Sequence, residues 1–179
     1  VVTDPSFTIF SQRMDYYSDV RHAYFYGATI INGEGYDVYC NRGFFDSDLK
    51  KGYLQDRATV DYNLRKIKGD SIYFDDHIQY AAATRNVQIY DTIGNNVICG
   101  EYGEVFKYKD SAIVTQNPIA IKLVDNDSLY IHADTLMATG PAENRKLTGY
   151  YGVRIYKTNL SGVSDSIHVD QKSGLIQLL

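Results

Sequence analysis

Apolar and polar residues alternate along this chain. In "SIYFD" Ile72 and Phe74 fall on one side with Tyr73 and Asp75 around them, and "PIAIKLVD" groups Ile119, Ile121 and Leu123. Residues i and i+2 of a strand share a face, so such runs build an apolar row on one side of a sheet and a polar row on the other. No window holds the sustained 3,4 spacing of an amphipathic helix. The 17 Tyr and 7 Phe, with no Trp and only 3 Pro, suit a pleated, half-exposed surface. Turn signals such as "NGEG", "DTIGNN" and "QKSG" separate the alternating runs. Together these features predict an all-β protein with no helix longer than about two turns.

At 179 residues the chain suffices for one domain of ordinary size or two small ones. A net charge of -4, with Lys and Arg scattered, argues against nucleic acid as a partner. No run approaches 18 apolar residues, and "VVTDPSFTIF" lacks the features of a signal peptide, so the chain reads as soluble, with any export signal already removed. Cys40 and Cys99 allow one disulfide or two buried thiols, and thiols are expected.

Internal similarity constrains the fold further. "GDSIYFDD" from Gly69 returns as "NDSLYIHAD" from Asn126, and "VYCNRGFF" from Val38 returns as "VICGEYGEVF" from Val97, which sets Cys40 and Cys99 at matching positions. "GEYGEVFKYKDS" from Gly100 returns as "GYYGVRIYK" from Gly149. The expectation is one β domain, residues 1–179, made of three degenerate units of about 57 residues: 12–68, 69–125 and 126–179.

The strongest chemical candidates are two His-x-Asp pairs, His132 with Asp134 and His168 with Asp170. Their ligand types would suit zinc or manganese. The unit "DSIYFD", however, carries Tyr73 where the others carry His while keeping Asp75, so a polar outer strand face is expected and no metal or other cofactor. "GEYGE" precedes no helical pattern and reads as a bend in a strand, not a phosphate cradle. The Asp-Ser pairs at Asp70, Asp110, Asp127 and Asp165 lack a nucleophile elbow or a nearby base and read as turn chemistry. "DSDLKKG" reads as a charged hairpin tip. Nothing here predicts an enzyme.

The succession "DSIYFDDHIQYAAATRNVQIYD", "GEYGEVFKYKDSAIVT", "DNDSLYIHADTLMATG" and "DSIHVDQKSGLIQLL", with "YDVYCNRGFFDSD" before it, resembles the OstA-like proteins of Bacteroidetes, relatives of the lipopolysaccharide-transport proteins LptA and LptC. Arg85 stands in "ATRNVQI" where the family's unit has Gly. The resemblance implies a twisted, antiparallel β-jellyroll, often called a β-taco, whose interior shelters the acyl chains of lipopolysaccharide. It further implies a periplasmic location and joining to other Lpt-type β-jellyroll proteins, or head to tail to copies of itself, through edge strands. Exposing an acyl chain to water costs about 0.8 kcal/mol per methylene, so a carrier needs a continuous apolar trough. The alternating runs supply an inward row for lipid: Ile72, Phe74, Val87, Ile89, Ile119, Ile121, Leu123, Leu129, Ile131, Val153 and Ile155. The alternative reading is a surface-exposed β domain that binds glycan through its tyrosines.

Overall fold

A computed structural model describes the chain except Ser6, Asn63, Asn95 and Asp125, and of Asp4 and Val124 the backbone alone. Asp125, which ends the second sequence unit, and Asn95 in "DTIGNN" thus lie outside the described residues. The alternating runs form β1 (Val2–Asp4), β2 (Phe7–Tyr17), β3 (His22–Gly33), β4 (Tyr36–Asp46), β5 (Lys51–Tyr62), β6 (Arg65–Asp75), β7 (Tyr80–Asp91) and β8 (Asn96–Phe106). They continue as β9 (Ser111–Thr115), β10 (Ile119–Val124), β11 (Asp127–His132), β12 (Thr135–Thr139), β13 (Lys146–Lys157), β14 (Leu160–Asp170) and β15 (Ile176–Leu178). All belong to one antiparallel sheet, an all-β jellyroll, and the described helices are single 3₁₀ turns at Lys107–Lys109 and Ala142–Asn144.

From β1 to β8 each strand pairs with its neighbours in sequence. Beyond β8, two short strands do the work of one. β9 and β10 both lie along β8, while β12 and β11 both lie along β13.

The long strands bend near their middles. The register shifts between Ser11 and Arg13, Tyr26 and Thr29, Gln55 and Ala58, Thr84 and Val87, and Tyr150 and Val153. In β5, β7 and β13 the extra residues adopt left-handed backbone: Asp56 and Arg57 (φ 57 and 65), Arg85 and Asn86 (φ 57 and 52), and Tyr151 and Gly152 (φ 61 and 60). Gln116 and Asn117, between β9 and β10, do the same (φ 61 and 60). A bulge bends its strand, and bulges aligned across a sheet crease it. β7 therefore bends just before Val87 with Arg85, not Gly, in left-handed backbone.

The crease divides the sheet into two leaves whose inner faces meet. A Cβ built on Gly103 of the first leaf would come 2.9 Å from Val87 Cγ1 of the second, and one on Gly100 of the second would come 2.5 Å from Val114 Cγ1 of the first. Small residues occupy the inside of the crease, where the leaves are closest: Thr29, Cys40 and Ala58 are essentially unexposed. Farther out the side chains grow. In the first leaf Phe25, Leu54, Ile72, Leu136 and Ile167 are fully buried, with Gly43, Gly103 and Gly149 between them on the same rung. In the second, one aliphatic rung runs through Ile9, Ile31, Val38, Val60, Ile67, Ile89, Ile98, Ala120, Ile131 and Ile155. Burying one such Ile or Leu contributes roughly 1.5–3 kcal/mol.

Candidate functional site

The inner faces form one continuous apolar cluster. Seven of the expected lipid-facing residues are buried within it: Ile72, Val87, Ile89, Leu129, Ile131, Val153 and Ile155; Phe74 packs against it half-buried. The expectation fails in β10. Ile119 and Leu123 are 39% and 54% exposed on the outer face, and Ile121 is half-buried there opposite Val97 and Tyr130. Ala120 is the inward residue, set between Ile98 and Ile131 on the aliphatic rung. The reason is cross-strand register: a one-residue slip exchanges the faces, and β8 and β11 fix which side of β10 meets the interior.

Opposite the crease the leaves meet again at a mouth, closed by long side chains. Phe7 of the second leaf contacts Phe45 of the first edge to face at 6.3 Å, and Phe45 stacks on Phe74 at 6.0 Å. Lys107 Nζ, at the tip of the first leaf, lies 4.3 Å from the ring centroid of Tyr62 and 3.6 Å from Asp76. Arg65, which begins β6, reaches across to Asp110: Nη2 donates to its carbonyl at 3.1 Å and Nη1 pairs with its carboxylate at 3.2 Å. Arg145 pairs with Asp91 at 3.0 Å and Asp110 at 3.2 Å, and also donates to the Gly140 carbonyl. Both guanidinium groups are buried. Burial, and then repulsion from Arg145, lower the Arg65 pKa from its ordinary value.

Behind this cluster lies a cavity of about 70 Å³. Ile89, Ile98, Ala120, Leu129, Ile131 and Val169 supply its apolar wall, and Arg65, Asn96, Lys122, Arg145 and Gln171 its polar rim. An engineered apolar cavity that holds benzene measures about 150 Å³, so this cavity as it stands admits no acyl chain without movement.

The His-x-Asp pairs are divided and engaged elsewhere. His132 Nδ1 donates to the Pro118 carbonyl at 3.0 Å in the second leaf, whereas His168 lies in the first, 3.4 Å from Thr148 Oγ1. Asp170 accepts from the Ser173 backbone N–H, which with the Ser173 hydroxyl holds its carboxyl below the usual range. Asp46 caps "DSDLKKG" in the same way, accepting from Leu49 and Asp48, and its pKa is lowered, the Leu49 bond leading. Among the described residues no group of three or more His, Cys, Asp and Glu is placed to hold a metal ion.

The cysteine equivalence is also corrected. Cys40 is fully buried inside the crease, whereas Cys99 is half-buried on the outer face opposite Ile119 and Gln88. The structural counterpart of Cys40 is Gly100, since Asn41 and Glu101, the next residues, both sit at the crease. Both thiols are free; burial pushes Cys40 up to about 11 and raises Cys99 too.

What sequence reasoning missed is a shorter motif. "SQRM", "CNRG", "GDSI", "GEYG", "ADTL" and "SDSI" each set a small residue and then an amide or acid at the crease, followed by outward Arg13, Arg42, Ser71, Tyr102, Thr135 and Ser166. It recurs roughly every thirty residues, once per strand pair. The counterpart of "GDSIYFD" is therefore "ADTLMAT", not the preceding "NDSLYIH". Tyr73 and His168 do share an outer rung, but His132 lies in the other leaf.

The tyrosines concentrate on the outside of the first leaf. Tyr24, Phe44 and Tyr53 contact one another across β3, β4 and β5 at 5.0 and 5.5 Å, and the Phe44 and Tyr53 rings are stacked. Farther along, Tyr80 and Tyr102 both donate to Glu104, at 2.6 and 2.9 Å. These groups contact one another, while Tyr26, Tyr53 and Tyr73 on the same outer face remain 41%, 40% and 40% exposed.

No family model matches the sequence, and no curated protein matches it. The fold is similar to that of a solved structure, LptH, the LptA-homologous periplasmic component of the lipopolysaccharide transport device from Pseudomonas aeruginosa. The TM-score is 0.56 at 12% identity, over 64% of this chain and 80% of that one. The likeness shows an LptA-type fold. No described helix is long and apolar enough to cross a membrane.

Proposed function

We propose that the protein is a non-catalytic module of lipopolysaccharide transport, working in the periplasm and holding acyl chains between its two leaves. The observation that carries this reading is the unbroken aliphatic rung from Ile9 to Ile155, enclosed by leaves joined through the backbone at the crease and, among the described residues, through side-chain contacts at the mouth. The LptA-type fold supports it, and the OstA-like resemblance in the sequence adds to that support. Parting the mouth would expose a trough of the kind that acyl chains require, each buried methylene contributing about 0.8 kcal/mol.

The free edges suit assembly. β1 pairs with residues 7–9 of β2, and the segment 175–179 bonds along residues 165–170 of β14, so residues 10–17 of β2 and 160–164 of β14 are the stretches that suit strand addition by a like domain or another Lpt-type β-jellyroll.

Photo-crosslinking in cells tests the transport reading. A crosslinker at Leu129, on the cavity wall, is expected to capture lipopolysaccharide, while one at Leu123, outside the same strand pair, captures none. Equal capture at both positions, or none at Leu129 in soluble, folded protein, overturns it.

A further inference from the structure

The two carboxylates at the mouth stand where the headgroup of a bound amphiphile would stand. Arg65, Arg145 and Lys122 face Asp91 and Asp110 there, three cations against two anions. Lys122 is the cross-strand neighbour of both Asn96 and Leu129 on the inner face, and has no ion pair among the described residues. Asn96 Oδ1 is buried and without a hydrogen-bond partner among them, on the rim of the same cavity. A buried polar atom left unpaired is costly, and a half-turn of the amide would present its N–H donors instead. An apolar wall, an excess of positive charge and an unpartnered amide thus converge on one opening.

We infer that this opening binds a single-chain anionic amphiphile of the long-chain fatty-acid type, with its tail on the aliphatic rung and its carboxylate at Lys122, Asn96 and the arginines. The inference rests on the acyl-chain reading for its apolar half and adds a ligand class of its own. One chain is favoured over several because the cavity is local and only about 70 Å³, so an entering chain must displace side chains as it goes. Asp110 then acts as an internal competitor. It holds both arginines when the site is empty, and an incoming carboxylate takes over part of that pairing. Such an exchange keeps the buried guanidinium groups paired throughout, which matters because a buried charge left alone is strongly destabilising.

The test titrates oleate, oleyl alcohol and lipid A separately into the full chain, each displacing a neutral fluorescent probe. Oleate is expected to bind at least tenfold more tightly than the alcohol. Lys122→Gln should remove most of that preference at an unchanged melting temperature, and Asp110→Asn should tighten oleate binding several-fold. Asn retains the tolerance for left-handed backbone that residue 110 needs (φ 46), and a gain in affinity cannot come from a misfolded protein. Equal binding of oleate and alcohol, or an Asp110→Asn variant that binds oleate more weakly, overturns the inference. Displacement by lipid A alone also overturns it but leaves the transport reading standing, whereas displacement by none of the three removes both.

Discussion

At the crease the two leaves are one chain, bent through left-handed pairs such as Asp56–Arg57 and lined inside by Thr29, Cys40 and Ala58. At the mouth they are joined by Phe7 on Phe45, Lys107 over Tyr62, and Arg65 and Arg145 on Asp110. The first closure is covalent and close-packed, so changes of volume should be felt most there. The second consists of separable contacts between groups that water or a ligand can replace. A sheet folded in this way can open from only one side, and its interior is reached where its closure is weakest.

The largest expected effect lies beside the crease. Phe25→Ala removes a ring that is 1% exposed and should cost about 3–5 kcal/mol in urea unfolding. A loss below about 1 kcal/mol would mean that the packing near the crease is not what holds the leaves together. Gly100→Ala tests the same region by overpacking, because the new Cβ would lie 2.5 Å from Val114 Cγ1 and 3.0 Å from the Thr115 carbonyl; about 1–3 kcal/mol of destabilisation is expected.

Effects at the mouth should be smaller. Lys107→Ala removes a cation over an aromatic ring and should cost about 0.5–1 kcal/mol, with faster hydrogen exchange confined to the tips of β5 and β8. Exchange quickening equally at the crease would erase the distinction between the two closures. Acid probes the tips in another way. The Asp46 carboxyl is lowered from 3.8 by its bonds to Leu49 and Asp48, so the stability it contributes is complete above that value and disappears as the pH falls through the lower folded one. Asp46→Asn should flatten the acid limb of a stability profile, and an unchanged limb would assign acid unfolding to other carboxylates.

The smallest effect returns to the crease. Arg85→Gly relieves left-handed backbone but frees the unfolded chain, leaving a net gain of no more than about 1 kcal/mol.

Much of the first leaf was legible because "SIYFD" keeps its alternation intact from the crease to the tip of β6. The outward turn of Ile119, Ile121 and Leu123 was not, because an isolated β10 would offer either face and its neighbours decide. The crease is only partly marked in the sequence: "GEYGE" reads as a bend, but Asp56, Arg57, Arg85 and Gln116 adopt left-handed backbone without the Gly or Pro that usually marks one. Nor could alternation reveal the mouth, where Arg145 meets Asp91 across 54 positions of sequence. Alternation alone places all eleven of the expected inward residues in one row. The structure instead distributes them among a closed core, a small cavity and an outer surface.

The meander order of the strands has a consequence for how the protein forms. Nearly every strand pairs with the one just before or after it, so the chain closes only short loops as each hairpin is added, and the entropic cost of each step stays small. Proteins dominated by such local pairings fold quickly for their class. Growth can start at any well-formed hairpin and spread in both directions, as it does in repeat proteins. Removing β1 or β15 should then leave the remaining strands able to assemble, whereas interrupting β6 or β7 should divide the growing sheet into two fragments, neither with a complete interior.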